Sequence, residues 1–432
     1  MDGGLRHRGS NELLRSFWGQ KRPHVQTFFS SKDPKKDTWF LWYYLVHGDR
    51  GVICWPEGWF KNGEVAPYIK PLAETFKEVQ GPVSKHVVDA EFAHDPVAIY
   101  YSHPSVQATW ALDAATHGGT WVNRSSSMEN SHGTCSLTRV AWLKTLEDLG
   151  IQGRFIHQDH LLDGVLAKDK YKVLLLPRVV CLSDEEAKAI RAFAEAGGTV
   201  LADQLCGVFD EHGKSRAKGA LDDLFGVKRD LSKGILNGQT LTEVDCEKGY
   251  KGLDEKNWTH GELFKGLAVF EPGLAADGGE ALDKAGEVPV RVKKGSAVCL
   301  NLSPIGYMLT RAKAGNPEWL AFVSGILKDA GVTPRVALKV NGEAPRMVET
   351  LFWKNGEKTT FCVIRNIERK ASITGFGSSE GDVGDGAVKL TFTFAKAVKG
   401  LKNERTGKEL GDGAEFSDDW TPWEANVYTF TP

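Results

Sequence analysis

Trp55-Pro-Glu57-Gly-Trp59 sets one carboxylate between two indoles, directly after the apolar run Gly51 to Trp55. A glutamate projecting from the carboxyl end of a strand can serve as acid, base or sugar ligand, and flat aromatic faces suit sugar rings. Glu64 is a second carboxylate close by in sequence. A hydrolytic pair would need the two to converge at about 5 to 9.5 Å. The plainer alternative is a salt-bridged loop glutamate.

Three other groups carry chemistry-bearing side chains. His157-Gln-Asp159-His160 stands at a strand end. Two histidines three apart fit one helical turn, but the segment reads as strand end and loop, so hydrogen-bonding histidines are expected rather than a metal site. Cys181 sits where a nucleophile could sit after a strand, yet Val179, Val180 and Leu182 are too bulky for a strained nucleophile turn, and a buried thiol is expected. Ser125 to Ser127 with His132 lacks a nucleophile-elbow context, and Gly375-Phe-Gly377 lacks the third glycine of a dinucleotide loop.

The elements that must position these residues follow from periodicity. Tyr171 to Asp203 switches from strand to helix and back: Val173 to Leu176 is apolar without alternation, as for a strand covered on both faces. Ser183 and Glu186 form a capping box, Ala187, Ile190 and Ala194 make an apolar stripe, and Gly197-Gly198 ends the helix. Before it, Val25 to Phe29, a polar turn, Gly51 to Trp55 and a helix Pro67 to Val79 read as βαβα. The middle of the chain continues with a strand at Val97 to Tyr101, a helix from Leu137 to Leu149, a strand at Phe155 to His157, a strand at Ala297 to Leu300 and a helix from Pro317 to Ala330. From Val336 the pattern alternates with period two and is broken by Gly/Asp/Asn turns, the signature of an antiparallel sandwich.

With 432 residues and a formal charge of −2, the chain has room for two or three domains and no electrostatic reason to bind nucleic acid or an anionic membrane. Its seven dispersed cysteines form no zinc spacing and read as thiols of a reducing compartment, favouring the cytoplasm. No signal peptide or membrane-spanning run is read. Thirteen tryptophans are many for this length; flat aromatic faces suit sugar rings, although core packing is the commoner use. No cofactor or metal is called for.

Several strings, in this order, resemble glycoside hydrolase family 42 β-galactosidases. Leu41-Trp42 through His47-Gly48-Asp49-Arg50-Gly51-Val52 is similar to the family's last barrel helix and strand. Val97 to Ser102 with Trp110, and Tyr171 to Asp203, resemble its trimerisation domain, and Trp423 to Thr429 resembles the last strand of its C-terminal sandwich. The resemblance implies an α/β plus β chain with three parts: a (β/α) barrel remnant at 1–92, a flavodoxin-like, amidotransferase-like doubly wound domain at 93–335, and an antiparallel β-sandwich at 336–432. It also implies a homo-oligomer, by resemblance a trimer, with carbohydrate as the possible ligand. Trp42 joins Trp55 and Trp59 as candidate substrate-binding residues, with Glu57 and Glu64 as candidate catalytic ones.

A complete barrel takes roughly 250 residues, so residues 1–92 are expected to hold two βα units, and the strand bearing the family's acid/base would stand before Met1. The nucleophile strand aligns with His24 to Phe29, where the family has a glutamate near Thr27 or Phe28 and this chain has no carboxylate. Three readings stay open: a non-catalytic assembly remnant, a glycosidase with a site rebuilt around Glu57 and Glu64, and a carbohydrate-binding scaffold.

Overall fold

The computed structural model describes residues 11–17, 24–55, 58–116, 134–231, 271–305, 307, 311, 316–366, 368–370, 377–379 and 384–432. Glu57, the Ser125 to Ser127 loop, His132, Cys246 and Phe376 lie outside them.

Strands Val25–Phe28 and Gly51–Cys54 pair in parallel, in register Val25 with Gly51 and Phe28 with Cys54. The helix Pro34–Val46 connects them. It starts because Asp33 accepts the Lys35 N–H and Pro34 presets the first turn. It ends at His47 and Gly48, the latter at φ 89°. A Cβ on Gly48 would meet the Trp353 indole at 2.6 Å. That indole donates from Nε1 to the Val46 carbonyl at 3.1 Å, while Trp39 Nε1 donates to the Arg365 carbonyl at 2.8 Å. One tryptophan from each element thus ties this helix to the C-terminal sheet. The second helix of the layer, Lys70–Val79, begins three residues later than the sequence suggests, because Pro71 takes a first-turn position.

The middle sheet has seven strands in the order Arg154–Ile156, Val97–Tyr100, Val173–Leu176, Thr199–Ala202, Ala297–Leu300, Val288–Lys294 and Glu280–Ala285. The first five run parallel, and the last two are added antiparallel. That pair was not read from the sequence, since Glu280–Ala285 has polar and charged residues on both faces and is half exposed. The unbroken apolar strands are explained by two buried layers. Ala98, Leu174, Leu176 and Val200 face one core with Ala187, Ile190 and Phe193 of the helix Asp184–Glu195. Val97, Val173, Leu175 and Leu201 face the other, with Trp142 of Thr134–Asp148 and Trp319 of Pro317–Asp329. The capping box is present: Ser183 N–H donates to Glu186 Oε2 at 2.6 Å and Glu186 N–H to Ser183 Oγ at 3.2 Å.

The remaining strands form an antiparallel sheet in the order Val336–Val340, Val388–Asn403, Asn426–Thr431, Lys358–Arg365, Val348–Asn355 and Glu91–Phe92, with Glu409–Trp420 also on Val388–Asn403. Register shifts between Thr393 and Lys402 let that 16-residue strand exchange neighbours along its length. Phe361, Phe392, Phe394, Phe416 and Tyr428 fill its core. Glu91–Phe92 pairs with Trp353 and Lys354, so the chain visits this sheet before entering the middle one. No helix among the described residues is long and apolar enough to cross a membrane.

Candidate functional site

In α/β sheets ligands sit at the carboxyl ends of strands. Among the described residues, the two-stranded parallel sheet has one covered and one bare face. Phe28, Val52 and Cys54 pack towards the helices, while Val25, Ile53 and the residues just past the strands, Phe29 and Trp55, are exposed on the other side. Phe29 and Trp55 follow the two strands directly, with ring centroids 6.0 Å apart and planes tilted 34°. They form an exposed aromatic pair at the carboxyl edge, and Phe60, five residues after Trp55, is exposed as well. An exposed apolar surface of this kind marks a binding or assembly face.

The residues singled out from the sequence separate here. Trp55 is 56% exposed and belongs to the aromatic surface. Trp59 is half-buried and packs edge-on to Phe28 at 6.0 Å, so it supports the surface from beneath. Trp42 is fully buried in the helix-side core, with the Arg405 guanidinium 4.3 Å from its ring. It presents no face to a ligand, because the helix Pro34–Val46 turns this residue inward. Glu64 is exposed in a two-residue strand paired with Phe60–Lys61. Thr27 and Phe28, where the family resemblance implies a glutamate, are the last two residues of the strand; Phe28 is core. The first two carboxylates after that strand are both used locally: Asp33 caps the helix by accepting the Lys35 N–H at 3.1 Å, and Asp37 is buried and holds the turn by accepting Ser30 Oγ at 2.5 Å and the Ser31 N–H at 2.7 Å.

A polar network that sequence reasoning missed lies where all three layers meet. His47 Nε2 is 3.1 Å from Glu349 Oε1 and 3.8 Å from Glu12 Oε1, and its Nδ1 lies 2.7 Å from the Tyr43 carbonyl. Gln152 Nε2 donates to Glu349 Oε1 at 3.1 Å, and Arg15 pairs with Glu12 and lies over the Phe92 ring. Asp49 Oδ2 accepts Asn11 Nδ2 at 3.0 Å. Burial pushes Asp49 up to about 7 and also raises Glu12, against the pull of Arg15 and His47. The only sequence signal was His47-Gly48-Asp49; residues 11–17 and Glu349 are too far away in sequence to be joined to it by spacing.

Two further groups resolve as structural. The segment read as a loop after His157 is the short helix Gln158–Leu162, capped by His157 Nδ1, which accepts the Asp159 N–H at 3.2 Å. The His157 and His160 rings then lie 3.8 Å apart, centroid to centroid and tilted by 33°, with Phe17 against both. No group of three His, Cys, Asp or Glu among the described residues could hold a metal ion. Cys181 is buried, its thiol pushed up to about 12 chiefly by burial. Its N–H donates to Ser105 Oγ at 2.9 Å and its carbonyl accepts Ser102 Oγ at 3.2 Å, which closes the space between the loops after two neighbouring strands.

Burial also pushes Asp203, at the end of Thr199–Ala202, up to about 7, although the Trp142 indole and the Arg178 N–H both pull it down. A carboxyl whose folded value lies above its unfolded one keeps its proton in the native state while the unfolded chain has lost it. Stability contributed this way is present in acid and is lost as pH rises from the ordinary carboxyl range through about 7. The unfolding free energy should therefore fall over that window, by up to about 1.4 kcal/mol per pH unit for each such group. Urea unfolding across that range should show a shallower slope for Asp203→Asn than for the parent chain.

Residues 96–278 match the family model of the β-galactosidase trimerisation domain. No curated protein matches the chain. Among solved structures, Gan42B, a GH42 β-galactosidase of G. stearothermophilus, aligns at TM-score 0.61 and 14% identity, covering 99% of this chain and 56% of its own. The β-galactosidase of Bacillus circulans sp. alkalophilus aligns at 0.61 and 14%, covering 100% and 58%. An α-L-fucosidase isoenzyme 2 of Paenibacillus thiaminolyticus aligns at 0.56 and 13%, covering 95% and 60%. The chain thus spans less than two thirds of the length of these structures, and at such identities the likeness is one of fold. Residues 96–278 carry the β-galactosidase trimerisation domain, and the chain as a whole has the fold of the C-terminal portion of a family 42 β-galactosidase.

Proposed function

We propose that this chain acts as the assembly part of a β-galactosidase-like glycoside hydrolase, forming a homo-oligomer and offering the Phe29 and Trp55 surface to carbohydrate, without turning a glycoside over by the usual carboxylate pair. The trimerisation-domain match of residues 96–278 carries the assembly half of this reading. The aromatic surface, beside a strand with no carboxylate at Thr27 or Phe28, supports the other half. The parallel strands in spatial order second, first, third, fourth, fifth favour a flavodoxin-like middle domain, and residues 1–92, 93–335 and 336–432 are taken as barrel remnant, assembly domain and β-sandwich.

A rebuilt glycosidase site is favoured by one feature: Glu57 follows the strand Gly51–Cys54 between Trp55 and Trp59. The two readings separate in one experiment. Chromogenic glycosides, chiefly β-galactosides, are assayed with the parent chain and Glu57→Gln at the same oligomeric state by light scattering. The expected result is an oligomer with no turnover by either protein. Turnover that disappears in Glu57→Gln would establish the rebuilt site instead. In the same preparation Trp55→Ala should weaken galactoside binding while changing stability by no more than about 0.5 kcal/mol, because the indole is largely exposed.

A further inference from the structure

A buried guanidinium is costly unless its N–H groups find acceptors. Arg178 stands in the turn after Val173–Leu176 and is 3% exposed. Its backbone is held in the left-handed region, at φ 50°, which a non-glycine residue adopts only when its surroundings impose it. What imposes it is Asp203, whose Oδ1 accepts the Arg178 N–H at 2.6 Å. Gln204 Oε1 then accepts Nη1 at 3.0 Å. Asp203 and Gln204 follow Thr199–Ala202, the parallel neighbour of Val173–Leu176, so the guanidinium is anchored across the carboxyl ends of two adjacent strands.

Nε and Nη2 of Arg178 have no hydrogen-bond partner among the described residues. These two N–H groups point the same way and make up one edge of the planar fork, the edge that takes two oxygens of a carboxylate or phosphate at once. The nearby carboxylates are engaged elsewhere. Asp203 Oδ2 accepts the Trp142 indole at 3.0 Å, and Glu271 accepts the Leu205 N–H at 2.6 Å and Arg229 Nε at 2.7 Å. We propose that the unpaired, buried edge of Arg178 binds a small oxyanion, a phosphate or a carboxylate, at the carboxyl end of the parallel sheet. The site lies away from the aromatic surface of Phe29 and Trp55 and stands whether or not that surface binds sugar.

The test is thermal unfolding of the full chain in rising inorganic phosphate, formate or acetate, with sodium chloride holding ionic strength constant, for the parent chain and for Arg178→Lys, which keeps the charge and loses the fork. The parent should gain melting temperature with the logarithm of anion concentration. Arg178→Lys should need on the order of 10-fold more anion for the same gain, since one point charge replaces a bidentate contact. The comparison of phosphate with formate and acetate shows which oxyanion the edge prefers. No rise for the parent in any of the three, or an equal rise in both proteins, would mean that water alone answers Nε and Nη2 and would overturn the site. If Arg178→Lys does not fold, phosphorus NMR of inorganic phosphate with the parent chain decides: line broadening that formate reverses supports the site, and an unbroadened line overturns it.

Discussion

Trp42→Ala is expected to lower the unfolding free energy by about 3–5 kcal/mol, the range for removing a large aromatic from a packed core. The indole has no exposed surface and belongs to one core with Leu72 of Lys70–Val79 and Val427 of the C-terminal sheet, the core that joins the Pro34–Val46 helix to both. Its ring also carries the Arg405 guanidinium, which is itself held by Glu78 Oε1 at 2.6 Å and Glu424 Oε2 at 2.8 Å. Truncation therefore leaves a cavity and removes a desolvated cation–π contact together. Chemical denaturation gives the number, and Trp42→Phe, which keeps most of the volume, should recover a large part of it. A loss of sugar affinity in Trp42→Ala with unchanged stability would contradict the buried placement. The contrast with Trp55→Ala is the informative comparison, since the same residue type should act on stability at one position and on binding at the other.

Arg229→Ala is expected to cost a similar amount, about 3–5 kcal/mol, by a different route. Arg229 sits on the short strand Val227–Arg229, its side chain 1% exposed, bridging Asp222 and Glu271. Glu271 in turn holds the Leu205 N–H, and Asp222 Oδ2 accepts the Gly219 N–H at 2.8 Å. Removing the cation leaves two buried carboxylates without a counter-ion, which costs more than the original pair contributed. One outcome distinguishes this from a simple packing defect. Arg229→Met combined with Asp222→Asn and Glu271→Gln should regain most of the loss, since no buried charge is then left alone. A deficit independent of the partner substitutions would point to packing alone.

Much of the architecture was legible because it rests on local chemistry. The unbroken apolar strand Val173–Leu176 required cover on both faces, and it has it. Ser183 and Glu186 announced a helix start that the hydrogen bonds reproduce. Period-two alternation marked Lys358–Arg365, Val388–Asn403 and Asn426–Thr431, since alternation is the geometry of a strand itself. The candidate site was legible only in part. Trp55 and Trp42 have the same chemistry and both lie near the partial barrel, yet one is exposed and the other has no surface at all. Which way a side chain on Pro34–Val46 turns depends on what packs behind that helix, and that partner, the sheet carrying Trp353 and Arg365, comes some 300 residues later.

The sequence by itself determined the apolar strands of the middle sheet, the alternating strands after Val336, the helix start at Ser183, and that no carboxylate stands at Thr27 or Phe28. Periodicity, capping and residue identity are all read within a few positions of the chain. The tertiary structure alone decided that Glu12, His47, Gln152 and Glu349 meet, that Phe29 and Trp55 share one bare face, and that Asp203 and Gln204 anchor Arg178 with one edge of its guanidinium unpaired. These are encounters between residues far apart in sequence, fixed by which strand lies beside which and which face is covered, and nothing in local spacing encodes them.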